Sequence, residues 1–316
     1  MQNGNIVWRN SIFTRLVITF LLVVTPLYFL GIQIFQWSKD MLTKEIFSSM
    51  QAQVVFYLNN LENEIEEIRK LQFDCFEDED LNDLANAASL MSDFEKTKAV
   101  RRLQQRLSSI KSSSEYIKNI SVHIPAINRT VRPDGTLKGN YVEIPDDIYS
   151  RFKDAPIDAK SQIIYWNNEL YLYAPHVSKL FFIEIELSKE NMKRLMLQSN
   201  TNPEARSLLI NPNLKFSIAG DNDEKTSQEI QNLLNVYLKN KKSDTISIEA
   251  GGRKYLLIYA FSDYTGMALS RYIPEEVVFK PLGKYKLWYW TFTALAFIII
   301  VLYSISTYRF IQRPLQ

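Results

Sequence analysis

Two long apolar runs bracket the chain: "LVITFLLVVTPLYFLGIQIF" fills 16–35, and "LWYWTFTALAFIIIVLYSISTY" fills 287–308. Neither run carries a charge. Twenty helical residues cover about 30 Å, the thickness of a bilayer core, so each run predicts a membrane span. Arg9 and Arg15 precede the first run, which favours a cytoplasmic N-terminus. A cleaved signal peptide is the alternative, but the run is long for one and no A-x-A site follows it. Pro26 lies mid-span and predicts a kink. Trp288, Tyr289 and Trp290 open the second run, and Tyr303 and Tyr308 lie near its end, as interfacial aromatic belts do. Two spans put both termini in the cytoplasm and residues 37–285 outside the cell.

Between the runs the apolar period changes. Over 39–73, Phe47, Val54, Leu58, Leu61, Ile65 and Ile68 recur at threes and fours, with Glu62, Glu66, Glu67, Arg69 and Lys70 off the stripe. That predicts an amphipathic helix about 50 Å long. Its stripe packs either on its own domain or, as well, along a parallel dimer seam. Residues 74–93 are acidic and read as short helices or loop. A second helix, 94–109, presents Val100, Leu103, Leu107 and Ile110, with Arg101, Arg102 and Arg106 as a solvated face.

From Tyr116 the period becomes two. "IKNISVHIP" sets Ile120, Val122 and Ile124 against Ser121 and His123. Asp134-Gly135 reads as a turn, and "QIIYWNNELYLYAP" as a hairpin about Asn167-Asn168. "KLFFIEIELSKENMKRLM" is a strand with Ile183, Ile185 and Leu187 on one face, followed by a helix capped by Ser188. A shorter round follows: strand, Asn-Pro-Asn turn and strand; a helix over 224–238; a hairpin about Gly251-Gly252; and a final strand. Pro274, Glu275 and Glu276 then open a helix that leads into the second apolar run. The fold class is α+β: two small antiparallel units in tandem beside a long N-terminal helix.

Composition removes several chemistries. Across 316 residues, 37 basic side chains balance 35 acidic ones, so charge makes no case for nucleic acid. One cysteine, Cys75, excludes an internal disulfide. There is no GxxxxGK[ST] or GxGxxG loop, no HExxH, no CxxC and no GxSxG. With His123 and His176 as the only histidines, neither a His/Cys metal centre nor a hydrolase triad can be argued, and no cofactor is expected. "FEDEDLND" lacks EF-hand spacing and reads as a solvated face. Asn119-Ile120-Ser121 and Asn128-Arg129-Thr130 match the glycosylation sequon, which would carry no meaning were the chain bacterial.

Five stretches in this order, "NSIFTRLVITFLLVVTPLYFLG", "NISVHIP…TVRPDG", "LYLYAP…FFIEIELSKENM", "YLLIYAFSDYTGMALSRYIP" and "YRFIQRPLQ", resemble the sensor half of a bacterial YesM-like two-component histidine kinase. The resemblance covers nearly the whole chain. It implies a double Cache ectodomain of two PAS-like units on one long helix, then the start of a HAMP linker. The expected division is a cytoplasmic 1–15, a first span 16–36, the long helix and membrane-distal unit 37–200, the membrane-proximal unit and exit helix 201–285, a second span 286–308, and a linker start 309–316. The kinase module would lie beyond Gln316, so this chain alone is expected to have no enzymatic activity. The resemblance also implies a cell-membrane homodimer, a small-molecule or envelope ligand, and a cognate response regulator reached through the missing cytoplasmic half. The Tyr…Arg…Trp-Tyr series of amino-acid-binding double Cache sensors is not evident, which leaves the ligand class open.

Candidate ligand residues are His123, Trp166, Tyr171, Tyr173 and His176, rings with polar tips on or beside the predicted strands of the distal unit. Candidate transmission residues are Pro274, Arg313 and Pro314. Other outputs would fit a similar ectodomain: a chemoreceptor, a membrane-bound transcription regulator, or a two-span envelope binding protein without signalling.

Overall fold

Helix α1 (Ile12–Asp74) carries the first apolar run and the predicted amphipathic helix without interruption, with Pro26 inside it. In the computed structural model, residues 12–133, 141–142, 144, 161–175, 180–198, 203–220, 224–238 and 243–312 are described. The chain divides into two units, Met1–Ser48 with Glu275–Gln316, and Ser49–Pro274.

In the larger unit, Val54, Leu58, Leu61, Ile65 and Ile68 of α1 are all buried by the chain's own packing. The stripe read from sequence thus packs on the chain's own domain. A short 3-10 turn (Cys75–Glu77) leads to α2 (Glu79–Asn86), whose N-cap Asp78 accepts from the Leu81 amide at 3.0 Å. Helix α3 (Asp93–Ser113) opens in a capping box. The Ser92 Oγ accepts from the Glu95 amide at 3.3 Å, and the Glu95 carboxylate accepts from the Ser92 amide at 2.8 Å. Arg102 of α3 clasps the Asp80 carboxylate of α2 with both ends of its guanidinium.

The first sheet contains β1 (Ile117–Ile124), β2 (Arg129–Val131), β3 (Tyr141–Val142), β4 (Ile163–Trp166), β5 (Glu169–Pro175) and β6 (Phe182–Leu187). Its order is β3-β2-β1-β6-β5-β4, and every pair is antiparallel. Asparagines close its turns: Asn128 (φ 51°) before β2, and Asn167 and Asn168 (φ 47° and 64°) in the β4–β5 hairpin. Ile120, Val122, Ile124, Val131, Ile163, Leu170, Leu172, Ala174, Ile183, Ile185 and Leu187 form its buried apolar face. Helix α4 (Lys189–Gln198) follows β6, its Asn191 amide donating to the Ser188 hydroxyl at 3.3 Å.

The second sheet contains β7 (Arg206–Asn211) and β8 (Phe216–Ala219), then, after helix α5 (Glu224–Tyr237), β9 (Ser243–Ala250), β10 (Arg253–Phe261) and β11 (Ala268–Pro274). The order is β8-β7-β11-β10-β9. Gly251 and Gly252 supply the positive φ values of the β9–β10 turn. Ile230 and Leu234 of α5 pack with Leu208, Leu257, Tyr259 and Tyr272 on one face. On the other face, Arg271 donates to Gln53 of α1.

Helix α6 (Glu275–Gln312) starts where β11 ends, with Glu275 and Glu276 at its positive end. In the smaller unit, α6 meets the first part of α1. The Tyr28 and Tyr289 rings lie 5.4 Å apart, and the Tyr289 hydroxyl donates to the Tyr28 carbonyl at 3.2 Å. A Cβ at Gly31 would sit 2.8 Å from Tyr289 Cε2, so a glycine is what permits this approach. Among the described residues, no helix is long and apolar enough to cross a membrane. Several side chains of both apolar runs lie outside the described residues, as do Arg313, Pro314 and the Asp134-Gly135 turn.

Candidate functional site

The second face of the first sheet is polar, yet much of it is dry. Strand alternation puts Asn119, Ser121 and His123 of β1 on the side away from Ile120, Val122 and Ile124. Glu184 and Glu186 of β6 join them, as do Tyr171 and Tyr173 of β5 and Trp166 of β4. A sheet face turned to water exposes such residues. Here Ser121 is 4% exposed, His123 1%, Thr130 0% and Glu184 7%.

Register assembles these side chains into transverse rows. Tyr173 pairs with Glu184, and Glu184 with Ser121. The next position outward is Arg132, whose Nε donates to the Ser121 Oγ at 3.3 Å. One row therefore reads Arg132, Ser121, Glu184, Tyr173, spanning three inter-strand spacings, about 14 Å. The adjacent row holds Thr130, His123, Phe182 and Pro175. His123 Nδ1 and Thr130 Oγ1 are hydrogen-bonded at 2.8 Å. Tyr173 and Phe182 link the two rows by stacking, with centroids 6.2 Å apart and planes 20° apart. A third row, Asn119, Glu186, Tyr171 and Ile164, closes the other end. There Lys118 bonds Glu186 at 2.7 Å and Glu169 at 3.1 Å.

The electrostatics follow from burial. Desolvation pushes the Tyr173 phenol up to about 12, so it stays protonated at neutral pH and can donate. The Glu186 and Glu169 carboxylates hold Lys118 above its ordinary range and keep it cationic. The face thus presents a buried carboxylate, a half-buried guanidinium bonded to a serine, hydroxyl and imidazole groups, and two stacked rings. These groups can orient a small polar molecule through charge and hydrogen bonds. Among the described residues no group of three His, Cys, Asp or Glu side chains could hold a metal ion.

Of the residues singled out from sequence, His123, Tyr171, Tyr173 and Trp166 lie on this one face. The Trp166 Nε1 is buried without a hydrogen-bond acceptor. His176 lies outside the described residues. Pro274 is the last residue of β11, immediately before α6. Sequence reasoning missed Glu184, Arg132, Thr130 and Phe182. For Glu184 a signal was present, because "FIEIEL" alternates it with Ile183 and Ile185. For Arg132 there was none, since only the β1–β2 register brings it to Ser121.

No protein-family model matches the chain, and no curated protein matches it. Solved structures do. The sensory domain of the Campylobacter jejuni chemoreceptor Tlp3 (CcmL) is 12% identical, with 77% of this chain and 99% of that one covered and a TM-score of 0.48. The extracellular domain of the "putative histidine kinase soHK1S-Z6" is 14% identical, with 77% and 99% covered and a TM-score of 0.49. The ligand-binding domain of Mlp24 with asparagine is 16% identical, with 69% and 98% covered and a TM-score of 0.34. These are likenesses of chain arrangement and assign no residue of this chain a role.

Proposed function

We propose that this chain is the ligand-sensing input of a membrane receptor, and that its ligand binds the polar face of the first sheet. The observation that carries this reading is the burial of four polar side chains, Ser121, His123, Thr130 and Glu184, together on one face of the first sheet. Buried polar side chains are costly to keep, and a recognition role accounts for retaining them. Glu184 and Arg132 flank Ser121, offering opposite charges about one strand spacing to either side. That pattern suits a small zwitterion, with its ammonium group on Glu184, its carboxylate on Arg132 and its side chain against Tyr173 and Phe182. Thermal unfolding of the full chain with each of the twenty amino acids tests it. A rise in melting temperature with at least one, absent in Glu184→Gln, supports the reading; no rise with any overturns it.

Membrane anchoring through both apolar runs is part of the proposal. It is supported by the uncharged stretches 16–35 and 287–308 and by side chains such as Leu22 (70% exposed) and Phe297 (67%), which face outward from the smaller unit. The order of the five sequence stretches that resemble YesM-like kinases favours a homodimeric histidine-kinase parent with a HAMP linker at Arg313-Pro314, over a chemoreceptor. In intact cells, an impermeant maleimide should label a cysteine placed at Asn63 and spare one placed at Gln2. The reverse pattern contradicts the orientation.

A further inference from the structure

Arg69 and Gln72 lie one turn apart on α1 and are 6% and 0% exposed. They follow the buried Leu61, Ile65 and Ile68, so an apolar pair would suffice for packing there. Both polar side chains are instead bonded to strand backbone. Gln72 Nε2 donates to the Leu172 carbonyl of β5 at 3.0 Å and to the Ile183 carbonyl of β6 at 2.8 Å, so one amide group bridges two neighbouring strands. Arg69 Nη1 donates to the Tyr173 carbonyl of β5 at 3.0 Å and to Gln72 Oε1 at 2.9 Å. Its Nη2 donates to the Ser161 carbonyl, just before β4. The guanidinium carbon lies over the Phe73 ring, 5.9 Å from its centroid, a cation–π contact that steadies the fork.

These bonds converge on two residues of the polar face. The Leu172 carbonyl belongs to the peptide unit that enters Tyr173, and the Tyr173 carbonyl to the unit that leaves it. Both units are therefore tied to α1, and the entering one is held again where the Tyr173 amide donates to the Gln162 carbonyl at 3.2 Å. The Ile183 carbonyl belongs to the unit that enters Glu184, the residue opposite Tyr173 in the ladder. Peptide units are planar, so fixing both units at one Cα fixes the direction in which its side chain leaves. For Tyr173 that direction leads to the ring of Phe182, on which it stacks. Burying an arginine and a glutamine costs more than burying two apolar side chains, and packing alone does not account for the choice.

We infer, on the reading of the Arg132 to Tyr173 row as the ligand site, that Arg69 and Gln72 are its positioning residues. Neither touches the ligand. Acting through the backbone of β5 and β6, they hold the Tyr173 phenol and the Glu184 carboxylate at fixed places in the row. Tyr173 then meets an arriving molecule already stacked on Phe182, and its ordering is not charged against binding. Helix α1 is thus a third source of the site's geometry, beside strand register and strand alternation.

The test is fluorine NMR of the ligand-free full chain in detergent micelles, with fluorotyrosine in place of tyrosine, in wild type, Arg69→Met, Gln72→Met and Arg69→Lys. Tyr173→Phe and Tyr259→Phe identify the line of Tyr173 and that of Tyr259, a buried residue of the second sheet. Arg69→Met and Gln72→Met keep unbranched chains and remove the donors. In both, the Tyr173 line should move or split by more than its own width while the Tyr259 line holds. Arg69→Lys keeps the charge but loses the fork, and should move the Tyr173 line less than Arg69→Met does. A merely structural contribution would lower the melting temperature and leave the Tyr173 line in place, or move both lines alike. Either result overturns the inference. Gln72→Met and Arg69→Lys decide the matter if Arg69→Met does not fold. Failure of every amino acid to raise the melting temperature would overturn the ligand reading and leave this result standing, so the two proposals fail separately.

Discussion

Arg271 is the largest fully buried side chain of the described residues, and its charge has no carboxylate counterpart among them. It projects from β11, between Ile258 and Ser207 on the neighbouring strands, towards α1. One terminal nitrogen donates to Gln53, and the Nε is buried with no acceptor. Desolvation holds the guanidinium below its ordinary range, with the Tyr57 phenol opposing the shift only in part. Replacing Arg271 by methionine keeps an unbranched chain in the slot and removes the buried charge. The unmet Nε costs about 1–3 kcal/mol, and a buried ion costs several more before its partners offset it. Against this stand the lost Gln53 bond, worth about 1.5–3 kcal/mol, and a Gln53 side chain that is half-exposed and can turn to water. The balance favours Arg271→Met by about 1–2 kcal/mol. For a unit of this size that is a rise of roughly 2–8 °C in melting temperature. Arg271→Ala, which leaves a cavity, should instead lower it. Circular dichroism melts of the full chain measure both. A fall of more than about 2 °C in Arg271→Met would refute the reasoning, because it would mean the charge is compensated and contributes to stability.

Cys75 is buried and its thiol is pushed up to about 12, chiefly by desolvation, so the thiolate is scarce at pH 8. It should resist a thiol reagent in the folded chain and react once in denaturant; rapid labelling at pH 8 without denaturant contradicts the packing of the 3-10 turn. Ser92→Ala removes the capping box of α3 and should cost about 1 kcal/mol at pH 7, read by denaturant titration. Bonds from Ser92 hold the Glu95 carboxyl below its ordinary value, so its contribution is present above the unfolded carboxyl pKa and is lost as pH falls through the folded one. The Ser92→Ala penalty should therefore shrink in acid, and a penalty that grows there would refute the sign. Gly31→Leu should part the Tyr28–Tyr289 contact and lower the melting temperature of the full chain, and an unchanged melting temperature would contradict the close approach at Gly31.

Much of the fold was legible because local rules and tertiary context agree. The 3.6 period of Val54 to Ile68, the Asn167-Asn168 and Gly251-Gly252 turns, and the alternation through "NISVHI" each name one element and one face. The strand order was not legible. Nothing local says that β6 sits between β1 and β5, because that depends on pairings sixty residues apart in sequence. The site split along the same line. His123, Tyr171 and Tyr173 declare their face by alternation, whereas Arg132 joins Ser121 only through register. Arg69 is the sharper case. Its sequence position, among charged residues beside the apolar stripe, reads as solvent-facing, yet it is buried because backbone carbonyls of β5 and of Ser161 are there to receive it. The own-domain packing read for the α1 stripe holds at Leu61 and Ile65, which the chain's own packing buries.

The central claim is that the buried polar row Arg132, Ser121, Glu184 and Tyr173 holds a small ligand. Its most direct measurement is calorimetric titration of the full chain with the amino acid that most raises its melting temperature, in wild type, Glu184→Gln and Arg132→Gln. The account predicts saturable one-site binding in wild type, weakened about tenfold to a hundredfold by either substitution, as expected for losing a charge-assisted bond. Equal affinity in all three proteins would place the ligand elsewhere and contradict the account.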